Sequence, residues 1–319
     1  MAQGSCIVLG GGGFLGTNLC RRLVSSGLRV RAFGRRRLFP EALRGIEWYQ
    51  GDFSDSASLA VAIESFDVVF HLIHSTTPQS SILDMAGDIQ QNVLPSLALL
   101  DISRKLGVKR IIFISSGGTV YGRTDQIPTP ETASTEPVTA YGITKLAIEK
   151  YLALHEYLYG LDFRVLRVTN PFGPYQVAPK NQGVIAALIS HALSGEPMEI
   201  WGDGSTVRDF LFVDDVVDAF EAAAGDQGSA RIFNIGSGKG RSLLEVIAAI
   251  ERLLNRRLDI TWNAKRSVDL PISVVAIDRA REHLGWTPKT KFETGLQRTI
   301  DWWREVLSPT ITTATRAPR

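Results

Sequence analysis

The feature that most constrains the fold is a glycine-rich stretch near the start of the chain. Residues 10–16 read Gly-Gly-Gly-Gly-Phe-Leu-Gly, which contains the spacing G-x-x-G-x-x-G. The stretch follows an apolar segment, Cys6–Leu9, and precedes a segment with helical periodicity, Phe14–Ser26. Glycines permit a tight turn, and without a Cβ the N–H groups at the start of a helix can approach a phosphate. In this strand–helix context we predict a loop that binds the pyrophosphate of a dinucleotide, rather than a merely flexible turn.

The following residues alternate short apolar segments with helical ones. Predicted strands are Arg29–Phe33, Ile46–Tyr49, Val68–Phe70, Arg110–Ile114 and Phe163–Val168, and predicted long helices are Ile89–Leu106, which contains Pro95, and Tyr141–Tyr159, capped by Thr139. This alternation is typical of an α/β fold with a Rossmann-type doubly wound parallel sheet. Such sheets bind ligands at the carboxyl ends of their strands, where the strand order reverses.

The pattern changes after residue 171, where proline, glycine and polar residues dominate. We predict that Phe210–Ala224 and Ile232–Ile235 return to the main sheet as a strand, a helix and a strand. The predicted division is an NAD(P)-binding Rossmann domain at 1–171 with a return segment at about 209–237, a smaller mixed α/β substrate lobe at 172–208 and 238–307, and a disordered tail at 308–319.

Composition disfavours several classes of protein. Hydrophobic residues make up 44% of the chain, charged residues 21%, and the formal net charge is +2, so we expect no affinity for nucleic acid. No apolar run approaches the roughly 20 residues of a membrane span, and no basic segment precedes a cleavable apolar one. We therefore expect a cytoplasmic protein that does not bind a membrane. Cys6 and Cys20 have no C-x-x-C partner and are expected to be reduced, buried thiols.

Two histidines lie at the end of the fourth predicted strand. The spacing of His71 and His74 suits a metal-binding pair, but no cysteine or carboxylate joins them. We predict no metal site and expect the backbone at this strand end to line the dinucleotide.

The choice of dinucleotide depends on the end of the second predicted strand. NAD-binding domains carry an acidic residue there for the adenosine ribose, but this chain has Phe33-Gly34-Arg35-Arg36-Arg37. The arginines are suited to a 2′-phosphate, although a solvated basic loop would have the same composition. The residues leave NAD and NADP equally open. Asp52, after the third strand, is a candidate contact for adenine.

Tyr141 and Lys145 form the candidate catalytic pair. They are four residues apart at the start of a predicted helix, so they share one face. A tyrosine normally ionises near pH ~10, and an ammonium group together with a positive nicotinamide ring would lower its pKa. The phenolate could then take a proton from a sugar hydroxyl while the same carbon is oxidised. The spacing is common, but here it lies beyond the glycine loop and after a strand end rich in serine, glycine and threonine.

Five ordered segments carry a family resemblance. They are Gly10–Gly16, Ser115–Gly122, Tyr141–Lys145, Leu166–Pro174 and Gly202–Phe210. Over about residues 5–306 the chain resembles the extended short-chain dehydrogenase/reductases, in particular the NAD-dependent nucleotide-sugar epimerases and dehydratases, closest to the UDP-glucose 4-epimerase type. The resemblance implies a nucleotide-sugar (UDP-hexose) 4-epimerase that interconverts glucose- and galactose-type sugars through a transient 4-keto intermediate.

The resemblance also implies roles for residues of the catalytic site. Tyr141 would be the base, and Lys145 would hold the nicotinamide ribose and lower the pKa of Tyr141. Many members place a serine where this chain has Gly117, so Thr119, in preference to Ser116, is expected to bridge O4 of the sugar. Dehydratases carry Thr-Asp-Glu where this chain has Gly117-Gly118-Thr119, which argues against dehydration.

Further residues are assigned by the same resemblance. The expected dinucleotide contacts are Gly10, Gly13, Phe14, Leu15, Gly16, Arg35, Asp52, Phe53, Leu72, Ser115, Tyr141 and Lys145. The expected substrate contacts are Ser116, Thr119, Asn170, Arg208, Arg266, Asp269 and Ser273. Ser273 lies where a small side chain admits N-acetyl sugars, so we expect these to be tolerated beside unsubstituted hexoses.

The resemblance further implies a tightly bound cofactor, regenerated in each cycle, with NAD as the default and NADP left open by Gly34 and Arg35. It implies a homodimer formed through helices 89–106 and 141–159. Two alternatives remain open at this point. One is an NADPH-dependent reductase of a nucleotide-linked 4-keto sugar, and the other is a dinucleotide-binding protein without turnover. The residues do not distinguish UDP from dTDP or GDP.

Overall fold

A computed structural model describes residues 4–177, 183–264 and 270–307, so Arg266, Asp269 and the predicted tail lie outside the described residues. The strands are β1 (Ser5–Leu9), β2 (Arg29–Gly34), β3 (Glu47–Gln50), β4 (Val68–His71), β5 (Arg110–Ser116), β6 (Asp162–Val168), β7 (Asn170–Phe172), β8 (Met198–Trp201), β9 (Val207–Phe212), β10 (Ile232–Ile235), β11 (Gly240–Ser242), β12 (Ile260–Asn263) and β13 (Ile272–Ser273). The α-helices are α1 (Phe14–Ser25), α2 (Ser56–Ile63), α3 (Ser80–Leu83), α4 (Met85–Asp88), α5 (Leu94–Lys105), α6 (Ala140–Tyr159), α7 (Val184–Ser194), α8 (Val213–Gly225), α9 (Leu243–Leu254), α10 (Asp278–Leu284) and α11 (Phe292–Leu307). No helix within the described ranges is long and apolar enough to cross a membrane.

The main sheet confirms the predicted doubly wound fold. Within the described residues it has seven parallel strands in the order β10–β6–β5–β4–β1–β2–β3. The chain builds outward from β1 to β3, then crosses back and builds in the other direction from β4. The strand order therefore reverses between β1 and β4, which is where sheets of this kind bind their ligands.

Alternation along the strands gives the sheet an apolar layer on each face. In β1, Cys6 and Val8 pack with α1 and α8, whereas Ile7 and Leu9 pack with α2, α5 and α6. Successive side chains of a strand point to opposite faces, so a strand covered by helices on both sides has to be apolar throughout. Both cysteines, Cys6 and Cys20, are buried and unpaired, and burial raises the pKa of the Cys6 thiol to about 12.

The predicted return to the main sheet is wrong in its first strand. β10 does join the main sheet beside β6, with Ile232 opposite Val165. β9, however, lies in the smaller sheet, where it pairs with β7, β11 and β13. Because β10 occupies the edge of β6, β9 instead buries Phe210 and Phe212 in the core of the smaller lobe.

The long helix predicted over Ile89–Leu106 is also different in detail. The helical segment begins earlier, at Met85, and α4 and α5 are joined by a π-helical turn at Ile89–Val93. Pro95 lies in the first turn of α5, directly after the π-helical turn, where the regular α-helical hydrogen-bond pattern is already interrupted. The helix predicted at Tyr141–Tyr159 is confirmed as α6, and the Thr139 hydroxyl caps it by accepting from the N–H of Gly142 at 3.1 Å.

The start of α1 packs against the glycine loop at a separation that only glycine permits. A Cβ on Gly16 would overlap the carbonyl oxygen of Gly10 and would lie 2.6 Å from the Cα of Gly11. A Cβ on Gly13 would meet nothing closer than the Gly10 oxygen at 3.5 Å, which is ordinary contact. The two glycines of one motif therefore serve different purposes. Gly16 allows the helix to pack, and Gly13 leaves its N-terminus open.

This contrast predicts effects of very different size for two alanine substitutions. Gly16→Ala should lower the free energy of unfolding by about 1–3 kcal/mol, because α1 must move away from the loop. Gly13→Ala, the matched control, should change it by only about a few tenths of a kcal/mol. Its φ of −89° suits alanine and its Cβ has room, so the smaller entropy of the unfolded chain offsets the weaker N-cap. Urea unfolding of dinucleotide-free protein measures both. Equal losses would contradict this account of Gly16.

Candidate active site

A cleft of about 800 Å³ opens at the carboxyl ends of β1 to β4, on the edge where the strand order reverses. Its walls come from the glycine loop and from the residues that follow β2, β3 and β4. The predicted dinucleotide contacts that line it are Gly10, Gly13, Arg35, Asp52, Phe53 and Leu72. The sequence prediction and the shape of the molecule therefore indicate the same place.

The N-terminus of α1 fits a pyrophosphate. Gly13 is the N-cap residue in an extended conformation, and no side chain of the described residues caps the helix. The first-turn N–H groups of Phe14, Leu15 and Gly16 thus begin a helix whose partial positive end faces the cleft. No side chain on Gly13 stands between these groups and the cleft, so the residues present suit a bound anion.

The end of the cleft near β2 carries both signs of charge. Gly34 offers no carboxylate, but Asp52, after the neighbouring β3, lies 3.9 Å from the exposed guanidinium of Arg35. Hydrogen bonds from Ser54 lower the pKa of Asp52, so that carboxylate stays ionised at neutral pH. Arg37 is turned away and donates to the carbonyl of Leu43 at 2.8 Å, so it holds the loop rather than the ligand.

The candidate catalytic pair, Tyr141 and Lys145, lies on the first turns of α6. The N–H of Tyr141 donates to the Ser81 hydroxyl at 3.0 Å, which fixes the start of the helix. The Lys145 ammonium donates to the carbonyl of Ile114 at 2.8 Å and lies 5.7 Å from the centre of the Tyr141 ring. It also lies 4.8 Å from the centre of the Phe113 ring. A buried cation and a phenol thus share one face, as the spacing predicts.

Burial shifts both titrations away from their usual values. It raises the pKa of Tyr141 above its ordinary value, and the nearby Asp88 carboxylate adds to the rise. Burial lowers the pKa of Lys145 to about 7, although Glu149 and Asp88 act in the opposite direction. Without further positive charge the site therefore keeps Tyr141 protonated, so its use as a base requires a cation beside it.

Glu149 is a buried acidic residue near Lys145 that the sequence analysis missed. It lies one turn beyond Lys145, is buried, and accepts from Arg167 of β6 at 2.6 Å. Its other oxygen accepts from the Ser115 hydroxyl, so Ser115 does not line the cleft. The spacing of Tyr141, Lys145 and Glu149 at i, i+4 and i+8 is the signal that would have identified it.

The turn after β5 holds the predicted hydroxyl. The Oγ1 atom of Thr119 is buried and has no hydrogen-bond partner within the described part of the chain, while its N–H donates to the carbonyl of Ser116 at 3.3 Å. A Cβ on Gly117 would lie 2.9 Å from the carbonyl oxygen of Arg167, so this backbone leaves no room for the serine of related proteins. An unpaired buried hydroxyl requires a partner, which a ligand can supply.

The smaller lobe brings three further predicted residues to the same edge. Asn170 donates to the carbonyl of Asp209 at 3.0 Å, which ties β7 to β9. Arg208 of β9 is opposite Ser273 of β13 and donates to the carbonyl of Leu270 at 2.8 Å. The Ser273 hydroxyl lies 3.8 Å from where a Cβ on Gly118 would be, so it faces the turn that carries Thr119.

Comparison of the sequence with known proteins finds relatives of matching length. The chain matches the profile of the NAD dependent epimerase/dehydratase family over residues 6–236. It is 34% identical over 307 residues to a UDP-glucose 4-epimerase of Mycolicibacterium smegmatis, covering 93% of this chain and 98% of the relative. It is 29% identical over 304 residues to a dTDP-4-dehydro-6-deoxyglucose reductase of Escherichia coli, covering 92% and 96%.

Solved structures resemble the whole molecule. UDP-glucose 4-epimerase of Thermotoga maritima with UDP-glucose has a TM-score of 0.91 and 34% identity, covering 95% of this chain and 100% of that one. UDP-glucose 4-epimerase of Thermus thermophilus with NAD has a TM-score of 0.88 and 29% identity, again covering 95% and 100%. UDP-N-acetylglucosamine 4-epimerase of Methanobrevibacter ruminantium with UDP-N-acetylmuramic acid has a TM-score of 0.90 and 28% identity, covering 96% and 100%.

The lowered pKa of Lys145 predicts a pH-dependent stability. Between the folded pKa of about 7 and the ordinary value of 10.5, the unfolded chain binds one more proton at this lysine than the folded chain does. The free energy of unfolding therefore rises with pH across this window, by at most about 1.4 kcal/mol per unit. Lys145→Met removes this titration and keeps an unbranched side chain at the position.

We therefore expect the difference in unfolding free energy, unsubstituted protein minus Lys145→Met, to grow between pH 7 and 9. Urea titrations of dinucleotide-free protein at several pH values measure it, and Lys105→Met, an exposed lysine on α5, serves as the control. A difference that stays constant with pH would show that the pKa of Lys145 is not lowered in the folded protein.

Proposed function

The chain belongs to the NAD-dependent epimerase/dehydratase family, and we propose that it is a UDP-hexose 4-epimerase that interconverts glucose- and galactose-type sugars. The observation that carries the proposal is the contact of Tyr141 with His74, which lines the dinucleotide cleft, together with Lys145 on the same face of α6. Thr119, with its unpaired hydroxyl, follows the adjacent strand. The UDP-glucose 4-epimerases with full-length similarity support the choice of sugar nucleotide.

NAD is the proposed cofactor. The α1 N-terminus and the glycine loop would hold its pyrophosphate, and Asp52 would face the adenosine end. The similar Thermus thermophilus structure contains NAD, which supports this choice over NADP. When bound, NAD supplies the acceptor and the donor of the two electrons that the C4 carbon of the sugar loses and regains, so it is not consumed and stays bound.

Tyr141 and Lys145 move the proton at O4. The protonated form of Lys145 lowers the cost of forming the phenolate. The charges of Glu149 and Asp88 favour that form, although burial still lowers the pKa of Lys145 to about 7. The phenolate takes the proton of the O4 hydroxyl as a 4-keto sugar forms, and the phenol returns it after the sugar has turned over. Because the same group takes and returns the proton, the reaction needs no exchange with solvent.

The remaining groups orient the substrate. Thr119 supplies a buried hydroxyl that has no hydrogen-bond partner within the described residues, so it is proposed to bridge O4. Arg208 carries the fork of donors that suits a diphosphate, and Asn170 lies beside it on the paired strand β7. Arg266 and Asp269 are proposed to hold phosphate and ribose, on the family resemblance alone.

A 4-ketoreductase is the second candidate. Gly34 and Arg35 favour it, because a reductant that is consumed is commonly NADPH and these residues suit a 2′-phosphate. The similar Escherichia coli reductase shows that the fold is compatible with this activity. A binding protein without turnover is disfavoured, since it gains nothing from burying Lys145 at a site that lowers its pKa to about 7.

We also propose a homodimer, formed through α5 and α6. One face of α6 exposes Ile143, Tyr151, Leu154 and Leu158, which recur at the spacing of a single helical stripe, and Leu94 at the start of α5 is exposed as well. An apolar face of this kind is covered when a second copy packs its own helix pair against it. Sedimentation equilibrium distinguishes this dimer from a monomer.

The proposed mechanism predicts turnover of UDP-galactose to UDP-glucose with no dinucleotide added. Tyr141→Phe should reduce kcat by roughly 10²- to 10⁴-fold, because it removes the base, while the dinucleotide released on denaturation stays at the same amount per chain. Stoichiometric loss of NADPH on a 4-keto sugar, without epimerisation, would replace the proposal by the reductase. Full activity of Tyr141→Phe would refute Tyr141 as the base.

The size of Ser273 predicts activity on N-acetylated sugars. The enzyme should convert UDP-GalNAc in addition to UDP-galactose. Ser273→Tyr should lower kcat/KM for UDP-GalNAc by roughly 10- to 100-fold relative to kcat/KM for UDP-galactose, since the tyrosine fills the space beside Gly118. Ser273→Ala, which stays small, should keep both activities. An unsubstituted enzyme that turns over UDP-galactose but not UDP-GalNAc would contradict the assignment.

A further inference from the structure

His74 is a buried side chain that the proposed mechanism does not use. It lines the dinucleotide cleft, and its side chain is only 7% exposed. The ring packs edge to face against Tyr141, with 4.4 Å between the ring centres. Neither ring nitrogen has a hydrogen-bond partner within the described residues. The nearby His71 differs, because its Nε2 lies 2.9 Å from the Ser96 hydroxyl.

The Asp88 carboxylate favours the tautomer of His74 that carries its hydrogen on Nε2. The carboxylate lies 3.7 Å from Nε2 of His74, too far for a hydrogen bond but close enough to favour an N–H on that side. The carboxylate is itself fixed, because it accepts from the hydroxyls of Thr76 and Thr144 and from the amide of Asn92. Nδ1 is then left as a bare acceptor.

The imidazole is held neutral. Burial lowers the pKa of His74, and the positive charge of Lys145 and the neighbouring His71 lower it further. Tyr141 faces the ring as a neutral phenol, and Asp88 is the one anion that faces it among the described residues. A neutral imidazole beside Tyr141 does not titrate near pH 7, but it can accept a hydrogen bond.

We propose that Nδ1 of His74 accepts a hydrogen bond from a hydroxyl of the ligand bound beside Tyr141. The hydroxyl belongs either to the hexose or to the ribose next to nicotinamide, since both would lie where the cleft meets Tyr141. A buried acceptor without a partner is costly, and a ligand hydroxyl removes that cost. The hexose case rests on the proposed function, whereas the ribose case requires only that the cleft binds a dinucleotide.

Two substitutions separate hydrogen bonding from packing. His74→Phe keeps the ring against Tyr141 and removes both nitrogens, whereas His74→Asn keeps an acceptor near Nδ1 and removes the ring. Calorimetry should be run with NAD on nucleotide-free protein, and with UDP-glucose on NAD-loaded protein. We expect His74→Phe to weaken one of these affinities by about 3- to 10-fold and His74→Asn to stay within about 2-fold of the unsubstituted protein.

The affinity that changes identifies the source of the hydroxyl. A loss for UDP-glucose assigns the hexose, and a loss for NAD assigns the ribose. No loss in His74→Phe would overturn the proposal, because the nitrogens would then contribute nothing to binding. Equal losses in both variants would also overturn it, because an acceptor placed near Nδ1 would then fail to restore the affinity. If His74→Phe loses affinity for UDP-glucose and the unsubstituted protein does not epimerise this sugar nucleotide, the hydrogen bond to His74 would be supported and the proposed function refuted.

A measurement on the unsubstituted protein covers the case in which a variant does not fold. With ¹⁵N-labelled histidine, Nδ1 of His74 should give the resonance of an unprotonated nitrogen from pH 6 to 8. It should shift when NAD or UDP-glucose is added, as expected for an acceptor that gains a donor. A resonance that titrates in this range, or that neither ligand moves, would overturn the proposal.

Discussion

The structure depends on a row of ionisable groups buried along one face of α6. Tyr141, Lys145 and Glu149 follow one another at intervals of four residues, and the charges of Lys145 and Glu149 lie inside the protein. A buried charge is tolerated only with partners, so the row requires the strands beneath it. Arg167 of β6 pairs with Glu149, and Ile114 of β5 accepts from Lys145. These contacts fix the helix to the two strands whose ends form one wall of the site.

The strand order determines what this row meets. β4 lies between β1 and β5, so the residues that follow β4 connect the glycine loop to the first turn of α6. His74 is in this position, since it lines the cleft and also touches Tyr141. The helix N-terminus that suits a phosphate and the phenol that suits a sugar hydroxyl therefore lie at two ends of one continuous surface. Neither β1 nor β5 alone could bring them together.

The sequence pattern predicts those features that depend on residues close together along the chain. Gly16 was identified because a helix following directly on a strand and a glycine loop needs close packing, and the 2.6 Å approach of its Cβ position to Gly11 agrees. Tyr141 and Lys145 were identified because helical spacing is read directly from the sequence. Glu149 obeys the same spacing and was missed only because the pattern was not extended by another turn.

Other features depend on the tertiary structure and leave no trace in the local sequence. The apolar residues of β9 (Val207–Phe212) would suit either the main sheet or the smaller one. β9 joins the smaller sheet because β10 occupies the edge of β6. Asp88 is far in sequence from Thr144, yet its carboxylate is fixed by that hydroxyl. The role of His74 likewise depends on the packing of three separate elements.

The surroundings of Thr119 bear on which reaction the site favours. Gly117 and Gly118 supply no carboxylate, and Asp88, which lies near His74 and Tyr141, already accepts from three donors. Expelling water from the sugar needs an acid and a base that this turn lacks, which disfavours dehydration.

A Cβ on Gly118 would have no neighbour closer than 3.8 Å, and that neighbour is the small Ser273. Epimerisation requires a sugar that can turn over beside Tyr141, whereas a reductase holds its substrate in one orientation. The open space at Gly118 and Ser273 therefore favours the epimerase.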